Sequence, residues 1–153
     1  MLRPALAVLV LLALSCATTT PANNERIVQS IYDSFARGDA PAVLATFDPD
    51  IVWYEAENIL YADRNPYRGP EAVAEGVFGR LMADFENFRV RVDETISEDD
   101  TVVVLGRYSA TWKATNRPID AQFVHVWKLR DGKVTNFQQY TDTAQFARAQ
   151  SRP

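Results

Sequence analysis

The sequence has too few cysteine and histidine residues for a disulfide or for an ordinary zinc site. Its 153 residues contain one of each, so no internal disulfide can form and the usual nitrogen and sulfur ligands of zinc are missing. The chain is also not basic, because its 20 acidic residues outnumber its 16 basic ones and the formal charge is −4. Modules that bind nucleic acids are usually basic. The composition therefore favours neither a metal site nor a nucleic-acid partner.

The sequence also lacks an apolar run long enough to span a bilayer. Such a helix needs about 20 apolar residues, whereas the longest run, residues 5–14, has ten. Disorder of the whole chain is excluded, because 47% of the residues are hydrophobic and can form a core. The length of 153 residues fits one domain. We therefore expect one folded domain preceded by a short apolar segment.

Residues 1–16 are predicted to be a signal peptide of the lipoprotein type. The positive charge of Arg3 precedes the apolar run, and Ser15 and Cys16 follow it, which is the order of a secretory signal. Residues 13–16 resemble a bacterial lipobox, in which the cysteine is lipidated and becomes the first mature residue. We therefore expect an exported protein of the periplasm or cell envelope that touches a membrane only through a lipid on Cys16.

An ordinary signal peptide, cleaved after Ala17 or Ala22, is the alternative. Residues 17–23 are small and polar with one proline, which is typical of a flexible tether. No internal repeat or second linker follows the tether. The folded domain is therefore predicted to cover residues 24–150.

The spacing of apolar residues predicts helices in the first half of the domain and strands in the second. The predicted helices cover residues 27–38, 39–47 and 70–85, with a strand at 51–54. The predicted later strands cover residues 88–93, 101–113, 119–129 and 134–141, before a short helix that begins at Asp142. Between the first strand and the third helix, Glu55 and Glu57 are expected on a solvated loop. Helices first and antiparallel strands afterwards predict an α+β domain.

The strongest hairpin signal lies at residues 130–133, because Asp131 and Gly132 suit a two-residue turn. Such a turn pairs Phe123 with Tyr140 and His125 with Gln138. A three-residue loop with a glycine bulge would shift this pairing by one residue.

One face of the predicted sheet combines aromatic and polar side chains. Strand alternation places on it Phe123, His125, Trp127, Gln138, Tyr140 and Asp142, which Tyr108 and Trp112 join across the preceding turn. A pure core would not need these polar groups, since each buried polar group requires a partner. A solvated face would not need so many rings. The face therefore predicts a pocket lined by rings and a few converging polar groups.

Four segments resemble the nuclear-transport-factor-2-like (NTF2-like) superfamily, and within it the SnoaL-like, ketosteroid-isomerase-related proteins. These segments are residues 67–73, 104–108, 123–127 and 139–143. The resemblance implies a cone-shaped α+β fold in which N-terminal helices pack on a curved antiparallel sheet around a pocket. It also implies a homodimer through the outer sheet face, where Val124, Val126 and Phe137 would lie.

The resemblance also suggests which residues carry the chemistry. Polyketide cyclases of this superfamily pair an acidic base with a histidine on neighbouring strands, and Asp142 and His125 match those places. The steroid isomerases carry their base on the first strand, where this chain has Trp53, Tyr54 and Glu55 instead of aspartate. Without catalysis, His125 would be a core histidine and Asp142 a cap of the last helix.

The sequence thus predicts a domain that binds a small apolar molecule and needs neither cofactor nor metal. His125 and Asp142 are the predicted catalytic pair, for acid/base chemistry of the isomerase, cyclase or dehydratase type. The predicted substrate-binding residues are Trp53, Tyr108, Trp112, Phe123, Trp127, Gln138 and Tyr140. A non-catalytic ligand-binding module and a dimeric module associated with the cell envelope are the alternatives, so the sequence leaves open whether the protein is an enzyme.

Overall fold

The computed structural model describes residues 20–151. The predicted signal peptide, the lipidation site at Cys16 and the first part of the tether lie outside the described residues. Within residues 20–151, none of the helices combines the length and the apolar character that a membrane crossing requires.

The elements follow one another in the predicted order of helices and then strands. They are α1 (Pro21–Ala36), α2 (Ala40–Leu44), β1 (Phe47–Tyr54), a 3-10 helix (Leu60–Arg64), β2 (Tyr67–Arg68), α3 (Pro70–Val73), a π-helical segment (Ala74–Gly79), α4 (Arg80–Asp84), β3 (Phe85–Glu98), β4 (Thr101–Trp112), β5 (Arg117–Arg130), β6 (Lys133–Thr141) and α5 (Thr143–Gln150).

Six strands form one sheet in the order β2-β1-β6-β5-β4-β3. β1 runs parallel to β6, and every other neighbouring pair is antiparallel. Helix α1 packs against β3 and β4, while α5 packs against β5. The predicted α+β fold, with helices on a curved and mainly antiparallel sheet, is confirmed.

Helix α1 covers the inner face of the sheet with one apolar side. Val28, Ile31 and Tyr32 are buried, and their spacing of three and one residues places them on one side of a helix. Pro21 lies in the first turn, where its missing N–H group leaves no intrahelical hydrogen bond unmade. The helix therefore carries the Tyr32 ring towards the centre of the sheet.

The π-helical segment packs tightly against a buried tyrosine. A Cβ atom at Gly76 would come within 2.2 Å of the ring carbon Cε1 of Tyr67, so only glycine fits there without a displacement. The Tyr67 hydroxyl donates to the backbone oxygen of Tyr61 at 2.5 Å. These contacts fix the π-helical segment to the loop that follows β1, and its Val77 and Phe78 reach the inner face of the sheet.

A β-bulge in β6 reverses the face that most of this strand presents. Near the turn, Arg130 pairs with Lys133 and Leu129 with Val134, as the two-residue turn predicts, but Lys128 pairs with Asn136. Thr135 is thus an extra residue, and the pairing beyond it is shifted by one. Because side chains alternate along a strand, this shift exchanges the inner and outer sets of β6.

The prediction for the two faces of β6 is therefore wrong. Phe137, expected on the outer face, is 1% exposed in the core, and Gln139 is also buried there. Tyr140, expected inside, is 57% exposed. Gln138 lies with Tyr140 on the outer side of the strand, since the two are two positions apart.

Candidate functional site

A cavity of about 70 Å³ lies between α1, the π-helical segment and the inner face of the sheet. Its aromatic walls include Phe35, Trp53, Phe78, Phe88, Trp127 and Phe137. Five polar or ionisable side chains also reach it, namely Tyr32, Glu55, Tyr108, His125 and Gln139. The predicted pocket of rings with a few converging polar groups is thus present, but most of the polar side chains that line it are not the predicted ones.

Some of the predicted site residues line this cavity. They are Trp53, Tyr108, His125 and Trp127. The Phe123 ring lies behind them, stacked on His125 with the ring centroids 4.1 Å apart. Trp112 lies further along β4, where its ring packs edge-on against Phe85 at 4.9 Å.

The other predicted site residues lie away from the cavity. Gln138 and Tyr140 are on the outer side of β6, as a consequence of the bulge at Thr135. Asp142 precedes α5 and borders an outer groove with Val124 and Tyr140.

The prediction that Asp142 and His125 share one site is therefore wrong. The carboxylate of Asp142 accepts a hydrogen bond from Gln145 Nε2 at 3.0 Å, within the first turn of α5. The physical reason is the bulge, because the unshifted register would have turned Asp142 towards the same side as His125.

His125 lies between two tyrosine hydroxyl groups. Its Nδ1 atom is 2.7 Å from the Tyr32 hydroxyl, and its Nε2 atom is hydrogen-bonded to the Tyr108 hydroxyl. The side chain is 5% exposed, and burial lowers its pKa from 6.5 to about 3. The imidazole is therefore neutral at neutral pH, with one N–H donor and one acceptor nitrogen.

Each of these tyrosine hydroxyls has a second partner. The indole Nε1 of Trp127 donates to the Tyr32 oxygen at 3.0 Å, and Nε2 of Gln139 donates to the Tyr108 oxygen at 2.9 Å. Burial is the largest cause that raises the pKa of both phenols. Both tyrosines therefore stay protonated, and they form one buried chain of hydrogen bonds with His125.

Glu55 is the one carboxyl group at the cavity among the residues the structure describes. It is 3% exposed, and its Oε1 atom accepts a hydrogen bond of 2.7 Å from the Trp53 indole. Asn65 holds its backbone on both sides, accepting from the Glu55 N–H at 3.0 Å and donating to its carbonyl oxygen at 2.7 Å. The carboxyl group is thus held at the end of β1.

Burial also changes the acidity of Glu55. It raises the pKa of the carboxyl from 4.5 to about 7, although the hydrogen bond from Trp53 partly offsets the increase. The expectation of a solvated Glu55 is therefore wrong. A sequence signal for the burial exists, because Ile51, Trp53 and Glu55 continue one alternating inward set past the end of the strand.

Gln139 connects the end of β1 with the tyrosine chain. Its Oε1 atom accepts from the backbone N–H of Ala56 at 3.2 Å, and its Nε2 atom donates to Tyr108. No sequence pattern indicated this role, because the predicted register placed Gln139 on the outer side of β6.

The chemistry that these side chains can support is acid/base chemistry. Glu55 can accept a proton at neutral pH, the phenols can donate hydrogen bonds, and the neutral imidazole can do either. The described part of the chain has no group of three or more histidine, cysteine or acidic side chains placed to hold a metal ion.

The cavity is small in this conformation. An engineered protein cavity that binds benzene measures about 150 Å³, twice the volume found here. Phe88 is half-buried and lines both the cavity and a wider groove of about 520 Å³. A ligand the size of a ring therefore requires movement of a wall side chain, and Phe88 is one of the side chains that the cavity and the groove share.

Comparisons with known proteins agree with this architecture. The profile of the SnoaL-like domain family matches residues 28–137. An NTF2-like protein from Burkholderia thailandensis is 31% identical, with a TM-score of 0.81 over 84% of this chain and 98% of its own. An NTF2-like protein of unknown function from Burkholderia pseudomallei is 29% identical, with a TM-score of 0.78 over 85% and 98% of the two chains.

A more distant structure has the same fold. A candidate SnoaL-like polyketide cyclase from Jannaschia sp. CCS1 is 21% identical, with a TM-score of 0.75 over 87% of this chain and 94% of its own. The comparison with curated proteins gave no match.

Proposed function

This chain belongs to the SnoaL-like domain family of the NTF2-like superfamily, and we propose that it moves a proton on a small apolar carbonyl compound bound in the aromatic cavity. Glu55 is the base in this proposal, in place of Asp142. The observation that carries it is a buried carboxyl group at a ring-walled cavity, with a pKa of about 7. A group with that pKa can both take and return a proton at neutral pH.

The proposed reaction begins with a ligand whose carbonyl group faces the polar wall of the cavity. The carboxylate of Glu55 removes a proton from the carbon next to the carbonyl, and the electron pair moves onto the carbonyl oxygen. A hydrogen bond from the polar wall stabilises that oxygen, and return of the proton completes an isomerisation or exchange. The chemistry requires no cofactor or metal.

The test is exchange of α-protons with solvent, which needs no knowledge of the natural substrate. Butanone, cyclopentanone and cyclohexanone are incubated with the protein in D₂O, and loss of the α-proton NMR signals is followed. Glu55→Gln should slow the exchange by about 100-fold or more, the usual contribution of a general base. The matched control is Glu57→Gln, since Glu57 is an exposed carboxyl two residues away.

Each outcome of this test decides between two functions. Catalysed exchange that depends on Glu55 and not on Glu57 supports the proposal. Exchange at the same rate with Glu55→Gln contradicts it. If ketones quench the tryptophan fluorescence of the cavity but no exchange is catalysed, the protein is a ligand-binding module without this activity.

Export and attachment to a membrane through Cys16 complete the proposed function. The basic start, the short apolar run and the position of the single cysteine support them. Expression of the full chain in a Gram-negative host with radiolabelled palmitate tests this part. The membrane fraction should contain labelled protein, and Cys16→Ser should abolish the label. Unlabelled protein from the unmodified sequence would contradict lipid attachment.

A homodimer through the outer face of the sheet is also part of the proposal. Val103, Leu105, Val124 and Val126 are only half-buried on this face, which Tyr140 also joins. Light scattering after size exclusion should give twice the chain mass, and Val126→Lys should give a monomer. The control is Met82→Lys, at an exposed apolar residue of α4. A monomer from the unmodified chain would contradict this part.

A further inference from the structure

The hydrogen bonds around His125 define which atoms donate. An indole or backbone N–H can only donate, so the Tyr32 oxygen accepts from Trp127, and Gln139 Oε1 accepts from Ala56. The amide of Gln139 is thereby oriented, and its Nε2 must be the atom that donates to the Tyr108 oxygen. Each tyrosine oxygen therefore already accepts one N–H donor.

The neutral imidazole cannot receive a hydrogen bond from both tyrosines. It has one acceptor nitrogen and one N–H group, yet a tyrosine hydroxyl faces each ring nitrogen. One tyrosine donates to the ring and the other accepts from it. The accepting tyrosine keeps its own hydroxyl hydrogen for a different acceptor, so the buried chain holds one hydrogen that can be offered to a ligand.

The surroundings favour Tyr108 as the tyrosine with the available hydrogen. Gln139 links the Tyr108 hydroxyl to Ala56, the residue directly after Glu55. Burial is the largest cause that raises the pKa of Tyr108 and the negative charge of Glu55 raises it further, whereas the causes that act on Tyr32 are burial and the hydrogen bond from Trp127. A hydroxyl hydrogen directed towards a negative group is stabilised, and Tyr108 is the tyrosine that Gln139 joins to the backbone next to Glu55.

We propose that His125 carries its hydrogen on Nε2 and that Tyr108 is the catalytic residue that donates to the carbonyl oxygen of the ligand. Tyr32 and His125 are positioning residues, since Tyr32 donates to Nδ1 and thereby keeps the ring hydrogen on the side of Tyr108. The assignment of Tyr108 as a catalytic donor rests on the proposed function.

The two hydrogen bonds that the Tyr108 oxygen accepts make its hydroxyl a better donor than it would be without them. Its oxygen accepts two N–H groups, from Gln139 and from His125, and hydrogen bonds in such a chain polarise one another. When the C–H bond of the ligand breaks, its proton goes to the Glu55 carboxylate. The electron pair goes to the carbonyl oxygen, where the Tyr108 hydrogen bond becomes stronger as negative charge develops.

The first test needs no ligand, because the chain has a single histidine. The ¹⁵N NMR spectrum of protein labelled at histidine should show a protonated Nε2 and an unprotonated Nδ1 at neutral pH. A hydrogen on Nδ1, or a doubly protonated ring, would overturn the proposal whether or not the protein is an enzyme.

The second test uses the α-proton exchange of the three ketones. Tyr108→Phe should lower kcat by about 10- to 1,000-fold, the range for loss of one donor to a developing oxyanion, with a smaller change in KM. Tyr140→Phe, at the exposed tyrosine of the outer face, is the matched control and should leave both unchanged. Exchange that depends on Glu55 but not on Tyr108 would overturn the role of Tyr108 and leave the proposed function standing.

Discussion

Replacement of Glu55 by glutamine should shift stability in favour of the variant as the pH rises, while it removes the proposed base. The buried carboxyl has a folded-state pKa of about 7, compared with 4.5 for the ordinary group. Folding therefore favours the protonated form. The stability associated with Glu55 is fully present below pH 4.5 and is lost as the pH rises to about 7, because the unfolded chain then ionises more easily than the folded one.

The size of the effect follows from the pKa shift. One pKa unit corresponds to about 1.4 kcal/mol, so the shift from 4.5 to about 7 corresponds to about 3 kcal/mol at pH 8. Glutamine does not ionise, and its side-chain oxygen can still accept from the Trp53 indole. Any cost of its extra N–H₂ group is the same at all pH values. The difference between the two proteins should therefore shift by about 3 kcal/mol in favour of the variant between pH 4 and pH 8.

Urea unfolding of both proteins at pH 4, 6 and 8 measures this difference. The shift should fall between pH 4.5 and 7, and Glu57→Gln, at the exposed neighbour, is the matched control. If the free energy of unfolding of Glu55→Gln differs from that of the unmodified protein by the same amount at pH 4 and pH 8, the reasoning about burial at this site is refuted.

Three further outcomes follow from the structure. The pKa of His125 is lowered from 6.5 to about 3, so its NMR titration should show a neutral ring down to pH 4, and a midpoint near pH 6 would contradict this. The contribution of His125 to stability, opposite in sign to that of Glu55, should fall as the pH drops below 6.5, because the unfolded state then binds the proton. Asp142→Asn should leave ketone exchange unchanged, since the Asp142 carboxylate bonds Gln145 outside the cavity, and a hundredfold loss of rate would contradict the placement. Gly76→Ala should lower the free energy of unfolding in urea by about 1–3 kcal/mol through its clash with Tyr67, and an unchanged value would show that the ring moves freely.

Local sequence patterns were enough to predict the order of the elements and most of the aromatic wall. Helical spacing identified Val28, Ile31 and Tyr32 as one buried side, and strand alternation correctly placed His125 and Trp127 inside. These predictions succeeded because they depend on periodicity within one element. The signal peptide, the tether and the lipid anchor, together with their boundaries, stay predictions.

The polar half of the site depended on pairing between elements, and there the sequence was a weaker guide. The turn at Asp131 and Gly132 predicts the first pairs of the hairpin, but it contains no information about the extra residue at Thr135. That single shift removed Gln138, Tyr140 and Asp142 from the predicted site.

Glu55 was missed for a different reason. Charged residues after a strand are usually solvated, and the burial of this one depends on a loop whose Asn65 side chain fixes its backbone. The inward alternation of Ile51 and Trp53 was the only local signal for it, and that signal continues past the end of β1.

The extra residue at Thr135 also has an evolutionary consequence. Deletion of Thr135 would give a regular ladder with the same partners, because Asn136 would follow Val134 directly and still pair with Lys128. Phe137 and Gln139 would stay turned inward, opposite Trp127 and His125. Relatives could thus gain or lose this one residue through an in-frame change without altering which side chains of the strand line the cavity.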